Sequence, residues 1–190
     1  VLPGTVVVGA DSHTCTAGAM GAMAIGVGTT DLLGVLITGK TWVRVPETIK
    51  VEVSEELNFP IMAKDLILQV IKDLGSDGAL YKVLEFQGSA IKKMNLDERR
   101  VLCNMSVEAG AKTGIIEADK KVTNHISRIT KDAKYNIYNS DPTANYYRTL
   151  TYKAEALSSM VAFPHAVDSS QPTSNLKKIK IDQAYIGSCT

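Results

Sequence analysis

Residues 9–31 read GADSHTCTAGAMGAMAIGVGTTD. The stretch places a carboxylic acid, a hydroxyl, an imidazole and a thiol within five positions, Asp11 to Cys15, and then runs into small and apolar residues. Immediately before it, TVVVG at 5–9 is a β-branched run closed by glycine, the pattern of a short buried strand. Asp11 to Thr16 is then the loop at that strand's carboxyl end, where ligands of open α/β sheets gather. From Gly18 to Gly39 the apolar positions Ala19, Met20, Ala22, Met23, Ile25, Val27, Leu32, Leu33, Leu36 and Ile37 surround a helical circumference with few charges, which predicts one buried helix. Glycine in a helix interior costs about 1 kcal/mol relative to alanine. Gly18, Gly21, Gly26 and Gly28 therefore point to a close backbone approach rather than to helicity for its own sake.

Further along, secondary-structure signals alternate. TIKVEV at 48–53 has the period of a half-exposed strand, and Pro46 marks a boundary before it. Residues 60–75 carry Met62, Leu66, Ile67, Val70, Ile71 and Leu74 at helical spacing and stop at Gly75. YKVLEF at 81–86 reads as a strand, residues 96–111 as a helix with acids in its first turn, and GII at 114–116 as a further strand. Residues 119–130 read as a helix with Val122, Ile126 and Ile129 inward, and 131–150 as a polar, tyrosine-rich loop. IDQAYIGS at 181–188 reads as a strand leading into Cys189. The fold class is α/β. Residues 1–45 form the tail of one unit, 46–165 a compact α/β domain, and 166–190 the start of a third.

The chain has 190 residues, enough for one full core, and 21 basic against 20 acidic side chains. With no Lys/Arg run longer than two, it lacks the electrostatic footprint of a nucleic-acid binder, and no stretch reads as a membrane span. Cysteines at 15, 103 and 189 are an odd, widely spaced set, against a disulfide framework and in keeping with a reducing, cytoplasmic setting. The chain opens on Val1 without a signal pattern and stops one residue after a cysteine, so it is expected to be an internal piece of a longer protein.

Asp11, Ser12 and His13 admit two compatible readings. An imidazole beside a carboxylate suits acid/base work near neutral pH, and Asp or Ser before a helix caps its free N–H groups. Adjacent Ser, His and Asp on one turn point apart, and no G-x-S-x-G elbow is present, so a serine hydrolase is disfavoured. Asn104 and Glu108, four apart, share one helix face; if that face is buried, Glu108 needs a partner, and a histidine is the natural one. By spacing alone Cys15, Cys103 and Cys189 are small buried hydrophobes, and His125 is an ordinary surface residue.

GADSHTCTAGAMGAMAIGVGTTD, TGKTWVRVPETI, CNMSVEAGAKTG and IDQAYIGSCT occur in this order. Together they resemble the aconitase superfamily, and within it the large subunits of the 3-isopropylmalate dehydratase and homoaconitase branch. The resemblance spans nearly the whole chain except about residues 131–150. It implies an aconitase-like three-layer α/β/α architecture, with one domain complete and parts of its neighbours. It implies a hydro-lyase that moves a hydroxyl on a malate-type acid by dehydration and rehydration at a [4Fe-4S] cluster, with 3-isopropylmalate, homoaconitate and methylmalate-type acids as candidate substrates and leucine biosynthesis as the leading setting. His13, paired with Glu108, and Asp11 match the catalytic shell around the substrate hydroxyl and iron-bound water. Ser12 matches a substrate-carboxylate contact, Asn104 the cluster surroundings, and Cys189 the first cluster ligand. The other two ligands, the base on a swivelling domain or small partner subunit, and upstream histidines fall outside this sequence, so the fragment itself is expected to hold no cluster and to be inactive. A non-catalytic RNA-binding or structural relative is the alternative of another class.

Overall fold

The computed structural model describes residues 1–187. At its centre lies a four-stranded, all-parallel sheet in the order β5–β4–β3–β6, formed by β3 (Thr48–Ser54), β4 (Val83–Gln87), β5 (Thr113–Ile115) and β6 (Arg148–Lys153). Ahead of it, β1 (Val6–Gly9) and β2 (Met23–Gly26) make a separate parallel pair, with Val6 opposite Met23 and Gly9 opposite Gly26. A small antiparallel ribbon, β7 (Met160–Ala162) with β8 (Ser170–Pro172), follows the sheet. The helices are α1 (Thr29–Thr38), α2 (Ala63–Leu74), α3 (Ser89–Lys93), α4 (Leu96–Met105) and α5 (Lys120–Ile129).

The alternation in TIKVEVS is the alternation of burial. Ile49, Val51 and Val53 are fully buried on one face, against Leu66, Ile67, Val70 and Ile71 of α2 and Leu102 and Cys103 of α4. Lys50, Glu52, Glu85 and Gln87 occupy the other face, where Ser140 of the irregular segment 131–147 hydrogen-bonds to Glu85 and Gln87. Ser140 N–H also donates to Glu117 Oε1 at 2.8 Å. The polar loop read from sequence is therefore tied to the polar sheet face by Ser140 and by Tyr146, whose hydroxyl accepts from Gln87 Nε2 at 3.2 Å.

Helix starts follow their sequence signals. Asn95 and Glu98 form a reciprocal capping box at α4, each accepting the other's backbone N–H. Asp65 Oδ2 accepts the N–H of Met62 at the start of α2 while its Oδ1 accepts that of Met160, so one buried carboxylate joins α2 to β7. Asp119 caps α5 through Oδ1 and takes Arg99 Nη2 on Oδ2 at 2.5 Å.

Five expectations are corrected. The single helix over 18–39 is three elements: a 3₁₀ helix at Ser12–Met20, β2 and α1. Gly21, at φ 73°, ends the first, and pairing with β1 recruits Met23 to Gly26 into a strand. Nor is the apolar helix buried, since α1 has no buried residue. The helix over 96–111 ends at Met105 and tightens into a 3₁₀ turn at Ser106–Ala109. Residues 148–150 belong to β6 rather than to a loop, because the edge of β3 offers a ladder that Arg148 to Lys153 completes. Ile129 points outward at the frayed end of α5. The strand expected from 181 is absent among the described residues, and Cys189 lies outside them.

A candidate acid/base site at the Asp11–His13 turn

The site is built where the chain leaves β1. Asp11 is the N-cap of the 3₁₀ helix at Ser12–Met20, and its Oδ1 accepts the backbone N–H of His13 at 2.7 Å. Thr14 Oγ1 donates to the Asp11 carbonyl and Thr16 Oγ1 to the His13 carbonyl, both at 2.7 Å. These local bonds hold the turn in a tight i to i+3 spiral, in which hydroxyls replace water at the carbonyls. The turn also needs Gly26 at the end of β2, where a Cβ would come within 2.6 Å of the Asp11 carbonyl oxygen.

The His13 ring sits between two carboxylates. Its Nδ1 lies 3.9 Å from Asp11 Oδ1 and 3.2 Å from Ser12 Oγ, and its Nε2 lies 3.6 Å from Glu108 Oε1. Asp11 and Ser12 are exposed, while His13 and Glu108 are partly buried. The Asp11 carboxylate both caps the turn and approaches the imidazole, using the same oxygen for each. An imidazole flanked on both nitrogens by carboxylates can hold a proton on one side and pass it on the other.

Glu108 reaches the histidine because α4 tightens at Ser106 and aims Glu108 across to the β1 turn. Asn104 does not point the same way. It is buried, and its Nδ2 donates to Thr16 Oγ1 at 2.8 Å, one layer behind the histidine. Cys15 Sγ donates to the Ser12 and Asn104 carbonyls at 3.5 Å each, a second link between the same two elements. Thr16 escaped sequence reasoning; its only signal was a hydroxyl three residues after His13, and its partner is 88 residues away.

Gly18 and Gly114 account for the closeness of this packing. A Cβ on Gly18 would fall inside the van der Waals envelope of the Gly114 carbonyl oxygen, and Ile116 N–H donates to the Gly18 carbonyl at 3.1 Å. The expected close approach is found at Gly18, Gly21 and Gly26, where it is made by other parts of this chain, and not at Gly28, which meets only the Asp31 side chain. Lys112 Nζ, 3.4 Å from the Gly26 carbonyl, joins the end of β2 to the start of β5. The site therefore lies at the carboxyl ends of β1 and β2 but at the amino ends of the four-stranded sheet.

Beside the turn, a cleft of about 560 Å³ is lined by Thr14, Thr16, Ala17, Arg100 and His125, which gives His125 a cleft wall where the sequence suggested only surface. Metal chemistry is not supplied by these walls. Among the described residues no group of three or more His, Cys, Asp or Glu side chains is placed to hold a metal ion. Burial pushes the Cys15 thiol up to about 11, and burial raises Cys103 as well, so both are neutral thiols near pH 7; they lie on separate elements and are not gathered with other His, Cys, Asp or Glu side chains into a metal-binding group. The described cysteines do not fit an iron–sulfur cluster.

Comparison with known proteins identifies the family. The sequence profile of the aconitase family (aconitate hydratase) matches residues 1–175. The chain is 50% identical over 192 residues to 3-isopropylmalate dehydratase large subunit 1 of Pyrococcus abyssi, and equally to that of Pyrococcus furiosus. It is 49% identical over 191 residues to the 3-isopropylmalate dehydratase large subunit of Heliobacterium modesticaldum. All of this chain is covered in each case, and it spans 45% of the length of each relative. With the profile matched from Val1 through β8 and the histidine turn inside it, the chain belongs to the aconitase family.

Proposed function

We propose that residues 1–190 are part of the large subunit of a 3-isopropylmalate dehydratase, a hydro-lyase that moves a hydroxyl on a malate-type acid. The observation that carries this reading is the His13 ring held between Asp11 and Glu108. Dehydration breaks a C–O bond and a neighbouring C–H bond, and the departing hydroxide must receive a proton. His13 is placed to give it, Glu108 at Nε2 to orient and recharge the ring, and Asp11 with Ser12 to face the substrate's polar end. Rehydration runs the same transfer in reverse.

The [4Fe-4S] cluster belongs, in this reading, to the longer polypeptide, with Cys189 as one ligand and a Lewis acid as its contribution. No step is derived through it from the residues described. The reading includes a small partner subunit that carries the base, a cytoplasmic location in leucine biosynthesis, and the division at 1–45, 46–165 and 166–190. Ala19 lies in the same apolar core as Ile49 and Leu102, so the first two of these units share a packed border. No helix among the described residues is long and apolar enough to cross a membrane.

The test is the full-length large subunit with its small subunit, reconstituted anaerobically and assayed against 3-isopropylmalate, homoaconitate and methylmalate-type acids. Turnover of 3-isopropylmalate above the others, lost in His13→Ala, is the expected result. Preference for homoaconitate or a methylmalate-type acid would reassign the substrate, and activity that survives His13→Ala would overturn the site.

A further inference from the structure

We propose that Lys112 is a substrate-binding residue, whose ammonium group takes one carboxylate of the malate-type acid at the Asp11–His13 turn. The proposal rests on the dehydratase reading above and supplies a cation that the residues named so far do not.

Lys112 stands between the 3₁₀ turn that carries Glu108 and the first residue of β5, at the amino end of the four-stranded sheet where the site lies. Its own N–H donates to the Lys82 carbonyl at 2.8 Å, which fixes its backbone. The side chain is partly buried and runs toward β2, with Nζ 3.4 Å from the Gly26 carbonyl oxygen and 5.6 Å from the centre of the Tyr81 ring. Gly26 is the residue against which the histidine turn packs: a Cβ there would come 2.6 Å from the Asp11 carbonyl oxygen and 3.0 Å from Ser12 Cα. A single residue of β2 therefore lies between the Lys112 ammonium and the Asp11–Ser12 backbone. The Gly26 carbonyl uses one of three ammonium donors and leaves two for a ligand.

Charge selects the ligand group. Asp11 and Glu108 are both carboxylates, and a malate-type substrate brings two more, so the described site is short of positive charge. Residues 1–39 contain no lysine or arginine, and Lys112 is the only one in 104–112. The other nearby cations are already answered. Arg100, on the cleft beside the turn, pairs with Asp97 at 2.6 Å, while Lys82 lies 3.8 Å from Glu47 and Lys50 lies 3.0 Å from Glu52. Lys112 has no ion-pair partner among the described residues. An ammonium on a four-carbon stem, held at its base and unpaired at its head, suits a carboxylate that arrives with the substrate.

Steady-state kinetics on the full-length large subunit with its small subunit, reconstituted anaerobically, tests this with three variants. Lys112→Met keeps the stem and removes the charge, Lys112→Gln is a second neutral form, and Lys112→Arg keeps the charge. In both neutral variants KM for 3-isopropylmalate is expected to rise about 10-fold or more, the loss of one charge-assisted hydrogen bond, with kcat within about 3-fold of wild type. Lys112→Arg should return KM to within about 3-fold of wild type. Unchanged KM in the neutral variants would overturn the proposal, as would a fall in kcat at constant KM or a failure of Lys112→Arg to restore binding. Wild-type protein that turns over none of the malate-type acids would instead overturn the dehydratase reading, and this proposal with it.

Discussion

Asn104 Nδ2 lies 2.8 Å from Thr16 Oγ1, and the same hydroxyl donates to the His13 carbonyl at 2.7 Å. A buried amide on α4 thus holds the backbone of the histidine turn through one threonine. Thr16→Val removes the acceptor of Asn104 and the donor to His13 while keeping the volume. It is expected to destabilise the fold by about 1–3 kcal/mol, the cost of unpaired buried polar groups. Thr16→Ser should restore most of it. Urea denaturation of the two variants side by side checks the difference.

Glu108 is partly exposed, and its Oε1 approaches His13 Nε2 only to 3.6 Å, so its contribution to stability is small. Glu108→Gln is expected to leave the unfolding midpoint nearly unchanged and, on the function proposed above, to lower dehydratase turnover by roughly 100-fold or more in the full-length protein. Steady-state kinetics beside a melting curve separates the two effects.

Burial raises the Cys15 thiol to about 11 and also raises Cys103. Neither should react with iodoacetamide at pH 8 in the folded protein, and both should react in urea. The raised values favour the neutral thiols in the folded state. Their contribution to stability is therefore intact below the ordinary thiol range and declines as pH climbs toward the folded values, about 11 for Cys15. Peptide mapping of alkylated protein reads the reactivity, and denaturation from pH 7 to 10 reads the slope.

Arg99 is 1% exposed and gives Nη2 to Asp119 and to the Lys92 carbonyl, while its Nε and Nη1 have no partner among the described residues. Asp119→Ala would strand that buried cation. Because the Asp119 side chain is 36% exposed, water offsets part of the loss, and about 2–3 kcal/mol is expected rather than the full cost of a broken buried pair. Burial alone would raise the Asp119 carboxyl, but the hydrogen bond and charge of Arg99, with the N–H groups of Lys121 and Val122, hold it below the usual range. The unfolded chain then takes the proton first as pH falls. This stabilisation is present above about pH 4 and is lost below it, a branch that Asp119→Asn should lack. Acid titration of both proteins followed by circular dichroism tests this.

Gly18→Ala drives a methyl group into the Gly114 carbonyl, where only backbone can move. A loss of about 3 kcal/mol or more is expected, at the upper end of overpacking effects. Gly34→Ala on α1 meets nothing within 4 Å and should be neutral or stabilising. Thermal denaturation of the pair distinguishes close approach from generic glycine effects.

Residue pattern by itself determined the α/β class, the strand read at 48–53 and the helix read over 60–75, which the structure bounds at Thr48–Ser54 and Ala63–Leu74, because each buries one face at its own period. The four motifs supplied the family resemblance, and with it the candidates Asp11, Ser12, His13, Asn104 and Glu108. What the pattern could not supply was partners distant along the chain. Met23 to Gly26 has the composition of a helix and becomes a strand because β1 lies beside it. Arg148 to Leu150 fall in the stretch read as a polar loop and join β6 because the edge of β3 is open to them. The pairing of His13 with Glu108 is expected from the family resemblance and not from the pattern, whereas the meeting of Thr16 with Asn104, 88 residues apart across the Gly18–Gly114 contact, comes only with the tertiary structure. Local propensities amount to tenths of a kcal/mol per residue, and tertiary ladders and burial exceed them wherever two elements meet.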